Sequence, residues 1–115
     1  MANRFQIPRD VEARLRKKFK VCAYCGCKMK AKVSVTGDRR KAATIEHLNR
    51  FGPFYWSDGL QEEHLVIVCT QCNSSRGTKR LGEWFTSSYC LAKYINFRTV
   101  ASRIRKYLRT AAARH

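Results

Sequence analysis

Two Cys-x-x-Cys pairs, Cys22/Cys25 and Cys69/Cys72, constrain this chain more than any other feature. Two residues between cysteines let both sulfurs reach one ion. Thiolates suit zinc, which prefers four ligands in a tetrahedron. Each pair therefore supplies half of one zinc site. The 43 residues between Cys25 and Cys69 exceed the short spacing of a simple zinc ribbon, so they must fold as an insert clamped at both ends. A closed four-thiolate site leaves no open position for substrate, which assigns this metal to structure. Three disulfides among the six cysteines would need an oxidising compartment, and nothing in the sequence points to one. Cys27 lies beside the first pair, where it can compete as a ligand. Cys90 sits among apolar residues and reads as a buried free thiol.

A length of 115 residues fits one domain, residues 1–115, with a modest core for which a bound metal is a useful staple. The 24 Lys and Arg against 8 Asp and Glu give a formal charge of +16. Such an excess attracts a polyanion, and nucleic acid is the first candidate because each neutralised phosphate releases counterions. No apolar run approaches the roughly 20 residues that span a bilayer, so no membrane partner is expected. The opening Met-Ala-Asn-Arg-Phe-Gln-Ile-Pro lacks the apolar stretch of a signal peptide. The expected location is intracellular and cytoplasmic.

Hydrophobic periodicity divides the chain. Residues 8–20 read as a helix, with Pro8 in its first turn and Val11, Leu15 and Phe19 on one stripe. Lys28 to Val35 alternates roughly as a strand, and Thr36-Gly37-Asp38 reads as a turn. Ala42 to Leu48 is a second expected strand. Residues 49–61 read as a loop carrying Phe51, Phe54, Tyr55 and Trp56. Of Phe54, Tyr55 and Trp56, at least two are expected in the core, with base stacking as the other role. Leu65–Val68 is a short buried strand running into Cys69, and a short helix is expected from about Asn73. Leu81 to Ile95 reads as one helix. A last helix, capped by Thr99, reaches to about Arg114. Asp58, Glu62 and Glu63 read as loop surface.

The insert holds two of the three histidines, His47 and His64. Zinc at Cys72 fixes the neighbouring Asn73, and the strand Leu65–Val68 ties His64 to the same ion. If Ala42–Leu48 pairs with that strand, Glu46, His47 and Asn73 converge. A carboxylate and an amide oxygen are hard ligands for magnesium or manganese. A neutral histidine beside them is suited to act as general base on water.

These residues carry a family resemblance. Cys22-x2-Cys25, Thr44-Ile45-Glu46-His47, His64 through Cys69-x2-Cys72-Asn73, and Arg76-Gly77 together resemble an HNH endonuclease of the four-cysteine kind. The resemblance covers residues 22–80, and the helices on either side lie outside it. It implies a small zinc-stapled ββα-metal finger, which together with the flanking basic helices read at 8–20 and within 81–115 gives an expected α+β fold. It also implies a metal-dependent endonuclease acting on DNA, of bacterial or phage origin. In that family's terms His47 activates water, while Glu46, where Asp is most often found, and Asn73 hold one Mg2+ or Mn2+. His64 stands at the middle position, usually Asn, which orients the base; orienting His47, binding phosphate and ligating metal are all open to it.

Arg76, Lys79 and Arg80 follow the helix start and are expected to contact phosphate, as are Arg103 and Lys106 on the last helix. The alternative is a zinc-stabilised nucleic-acid-binding module without catalysis. A zinc-dependent protein-interaction domain is a third reading, disfavoured by the charge. A monomer and a homodimer, including one formed on DNA, both fit.

Overall fold

A computed structural model describes residues 3–30 and 39–110. Its centre is a strand–strand–helix unit. Strand β1, Ala43–His47, pairs antiparallel with β2, Leu65–Cys69, in a register that sets Ala43 opposite Cys69 and His47 opposite Leu65. All five residues of β2 are buried. The helix α1, Arg9–Lys18, packs against β2, while α2, Thr70–Arg76, packs against both strands. A strand covered in this way reads as an unbroken apolar run, which Leu65-Val-Ile-Val68 is.

Helix α1 buries Val11 and Leu15, with Phe19 just past its end. Acidic Asp10 and Glu12 sit in its first turn and Arg16, Lys17 and Lys18 in its last, complementing the helix dipole. Before it, the Asn3 side-chain oxygen accepts from the backbone N–H of Phe5 and of Ile7. This folds the N-terminal arm back, and the Phe5 carbonyl accepts from the Trp56 N–H at 3.0 Å. The arm and the loop after β1 are thus tied together.

Helix α2 begins at Thr70, one turn earlier than expected, so Cys72 lies on the helix and Cys69 immediately precedes it. Gly77, at φ 55°, ends it. The expected helix 81–95 is broken into α3, Leu81–Trp84, and α4, Ser88–Lys93. Ser87 causes the break. Its hydroxyl accepts from the Cys90 N–H and caps a new helix. The last helix, α5, spans Ser102–Leu108. Thr99 does not cap it; its hydroxyl donates to the Tyr94 carbonyl and accepts from the Asn96 N–H. The rest of that expected helix, residues 111–114, lies outside the described residues. So does residues 31–38 of the expected strand and turn, although Lys30 bridges to Ala42 beside the sheet.

The expectation of an α+β fold stapled at four cysteines matches this architecture. Among the described residues, no helix is long and apolar enough to cross a membrane.

Candidate metal centre and active-site cleft

The two knuckles meet. The four sulfurs of Cys22, Cys25, Cys69 and Cys72 all lie within 4.8 Å of one another. A zinc ion at about 2.3 Å from each ligand spaces tetrahedral sulfurs at just under about 4 Å, and Cys25 and Cys69 stand 3.9 Å apart. Gly26, at φ 77°, makes the turn that lets Cys25 face back, and its N–H donates to the Cys22 carbonyl. The Ala23 N–H donates to the Ile67 carbonyl, fastening this knuckle to β2. The Cys69 N–H points at the Cys22 sulfur at 3.2 Å.

The protonation chemistry also fits a cation. Thiols this close do not ionise independently. Hydrogen bonds from Cys22 and Cys72 hold Cys69 down at about 3, while its bonds to Cys22 and Cys69 push Cys72 far up. A divalent cation removes that conflict by stabilising all four thiolates. Tyr89 adds a hydroxyl 3.2 Å from the Cys72 sulfur. Cys27 is half-buried and outside the cluster. Burial, with a hydrogen bond to Cys25, pushes its thiol up to about 12. Cys90 is a buried free thiol, as expected.

Glu46, His47 and Asn73 line one cleft of about 630 Å³. Strand alternation sends Glu46 and His47 to different neighbours, and the cleft wraps the end of β1 and meets both. His47 packs against Phe5, Phe54 and His64. It is 7% exposed, and neither ring nitrogen has a hydrogen-bond partner among the described residues. Burial, reinforced by repulsion from His64, Arg76 and Arg4, lowers its pKa to about 4. The imidazole is therefore neutral at pH 7 and able to accept a proton.

The Glu46 carboxylate is buried. One oxygen accepts from the Tyr24 hydroxyl at 2.9 Å and lies 3.5 Å from Arg76. Burial raises its pKa, against the pull of Arg76, Tyr24 and Arg4. Asn73 reaches the cleft from the second turn of α2, half-buried. The donor set, one carboxylate and one amide oxygen beside an unpartnered imidazole, suits a hard divalent cation.

His64 goes elsewhere. Its ring centroid is 6.2 Å from that of His47, and it stands edge-on to Tyr107 at 5.3 Å. It lines a second cleft with Lys18, Arg103 and Lys106. It makes no hydrogen bond to His47, so the orienting role open to it from the sequence is not seen. Its pKa is lowered by burial, with Glu63 opposing.

The expected phosphate contacts divide. Arg76 is 2% exposed. Its guanidinium donates to the carbonyls of Lys79, His47 and Leu48, so it clamps the loop after β1 onto α2 instead of facing solvent. Lys79 and Arg80 are exposed and follow Thr78 in sequence, the last residue of that segment to line the first cleft, and the Lys79 ammonium donates to the Ser75 carbonyl. Arg103 is half-buried. It donates to the carbonyls of Glu62 and Leu65 and lies over the Phe19 ring. Lys106 is exposed.

Several site residues had no signal in their spacing. Tyr24 sits inside the first knuckle and is buried against Glu46 and Trp84. Arg4 and Phe5 reach the cleft from the N-terminal arm. The aromatic loop did carry a signal, but its expected burial is corrected. Phe54 and Tyr55 are 45% and 47% exposed, and only Trp56 is largely covered. The chain matches no family model, no curated protein and no solved structure.

Proposed function

We propose that this chain is a metal-dependent endonuclease of the HNH type, hydrolysing phosphodiester bonds in DNA. One observation carries the reading: a buried, neutral His47, its ring nitrogens without a hydrogen-bond partner among the described residues, shares a cleft with Glu46 and Asn73, at the head of a strand–strand–helix unit framed by the four cysteines. The order of strand, strand and helix is that of a ββα-metal finger. The charge of +16 supplies attraction for a polyanionic substrate.

Glu46 and Asn73 are the residues that would hold Mg2+ or Mn2+, which when bound supplies charge stabilisation at the scissile phosphate and leaving oxygen. His47 accepts a proton from the attacking water, its low pKa ensuring that a ring nitrogen is bare at neutral pH. Phe5 and Phe54 hold the ring by packing and keep bulk water from it. Lys79 and Arg80, exposed just beyond α2, are the residues assigned in this reading to phosphate. The zinc centre fixes Asn73 through Cys72 and takes no part in the reaction.

The contact between Arg76 and Glu46 favours a second reading. A guanidinium competes with a cation for that carboxylate, as in a finger that binds nucleic acid without cutting it. Supercoiled plasmid with and without added magnesium or manganese separates the two. Cleavage that needs the metal, and that His47→Ala abolishes with fold and zinc content retained, is the expected result. Full activity in His47→Ala would overturn the assignment of the base.

A further inference from the structure

The aromatic loop after β1 is built as a rigid lip on the His47 cleft. Asn49 closes its start: the side-chain oxygen accepts from the Phe51 N–H, and the side-chain amide donates to the Gly52 carbonyl. Gly52 has φ 81°, and a Cβ there would lie 3.1 Å from the Phe54 ring. The Phe54 ring therefore lies against a bare backbone on one side and stands edge-on to His47 at 5.4 Å on another. Phe54 as a whole is 45% exposed. Tyr55 follows, its carbonyl accepting from the N–H groups of Asp58 and Leu60. Trp56 anchors the loop to the Phe5 carbonyl. The Phe54 ring is thus packed on two sides, and the Tyr55 backbone beside it is fixed by the turn that follows.

Exposed rings that lie side by side at the mouth of a cleft mark a binding surface more than scattered ones do. Their neighbours identify the occupant. Phe54 and Tyr55 line the same cleft as Arg4 and Arg50. Rings interleaved with guanidinium groups suit a ligand that alternates flat apolar faces with negative charges, and single-stranded nucleic acid is such a ligand. In a duplex both faces of each base are already stacked, so a fixed ring has nothing to receive. Because the Phe54 ring is already packed against Gly52 and His47, ordering it on binding costs little.

We propose that Phe54 and Tyr55 form a stacking platform for an unpaired base at the mouth of the His47 cleft, so that this protein takes nucleic acid that is single-stranded or locally unpaired. The assignment rests on the nuclease reading only for its purpose, which is to deliver the adjoining phosphate to Glu46, His47 and Asn73. The binding itself is independent of cleavage.

The test is fluorescence anisotropy with labelled oligonucleotides and the full chain, with no magnesium or manganese added. Three probes are compared at one salt concentration: a single strand, a hairpin duplex of the same base composition, and a single strand carrying abasic sites. The single strand is expected to bind at least about five-fold more tightly than either of the others, since stacking one base contributes that much or more. Tyr55→Ala should lose about the same factor on the single strand alone, with the salt dependence unchanged, and Tyr55→Trp should restore it. Equal affinity for the normal and abasic strands overturns the platform without recourse to any variant. So does tighter binding of the duplex, or undetectable binding of all three. Base-dependent binding without any cleavage would instead leave the platform standing and remove the nuclease reading. Cleavage of duplex by a protein indifferent to abasic sites would do the reverse.

Discussion

The guanidinium of Arg76 stands 3.5 Å from the carboxylate of Glu46, and neither side chain is more than 7% exposed. Arg76 also donates to three carbonyls, so it holds both a charge and a stretch of backbone. Removing it leaves Glu46 buried without its counter-charge and strips donors from the His47, Leu48 and Lys79 carbonyls. Breaking a buried pair from one side costs about 3–5 kcal/mol. Arg76→Ala should lose that much in urea unfolding followed by circular dichroism. Arg76→Lys should recover little, because one ammonium cannot span three carbonyls set in a fork. A loss below about 1 kcal/mol in Arg76→Ala would return Arg76 to the phosphate-contacting role expected from its sequence context.

His47 makes the stability depend on pH in a defined direction. Its pKa is 6.5 unperturbed and about 4 in the fold. Between those values the unfolded chain binds the proton and the folded chain does not. The contribution of His47 is therefore complete above pH 6.5 and is lost as pH falls through that window to about 4. Acid also protonates the cysteine site, in wild type and variant alike. The difference between wild type and His47→Phe in denaturant midpoint isolates the histidine, and it should move in favour of the variant from pH 7 to pH 4. An NMR titration of the His47 ring protons, without added magnesium, should give a midpoint near 4. A midpoint near 6.5 would mean that the ring is open to water and not held as the base.

Two residues of α5 that look alike in sequence should behave oppositely. Arg103 donates to the Glu62 and Leu65 carbonyls and covers the Phe19 ring, whereas Lys106 is exposed in the second cleft. Arg103→Ala should destabilise the fold by about 1.5–3 kcal/mol, the worth of hydrogen bonds from a charged donor. Lys106→Ala should leave the unfolding midpoint unchanged and flatten the salt dependence of DNA binding by about one phosphate contact. Identical behaviour of the two variants in both assays would show that the second cleft neither anchors α5 nor meets DNA.

What could be read from the sequence was what spacing controls. Two residues between cysteines bring paired sulfurs together, and an unbroken Leu65-Val-Ile-Val68 marks a strand covered on both sides. Pairing of that strand with β1 was a condition in the sequence and is present in the fold, where Glu46, His47 and Asn73 line one cleft. What spacing does not control was misread. Arg76 is one arginine among many in a basic chain, and its burial depends on where the Glu46, His47 and Leu48 backbone and carboxylate happen to lie. His64 shares β2's entrance but turns toward Tyr107, a contact made by a helix about forty residues away. The break at Ser87 is a capping hydroxyl overriding an apolar stripe that continues across it.

The cysteine frame should set the fate of the whole site. Cys69 ends β2, begins the turn into α2, and directs its N–H at the Cys22 sulfur. Loss of zinc there releases both the first knuckle and the helix that carries Asn73 and Arg76. Structural zinc in small domains is worth about 10–16 kcal/mol, as much as or more than the total stability of about 5–15 kcal/mol of a typical domain. The purified protein should accordingly carry one zinc per chain by elemental analysis. Titration with a strong chelator should release zinc and lose the far-UV helical signal in a single concerted step. Cys69→Ser should lose fold and cleavage together, whereas Cys27→Ser, outside the four-sulfur cluster, should keep both. A Cys69→Ser protein that lacks zinc yet stays folded and cuts DNA would separate the metal from the site it is expected to frame.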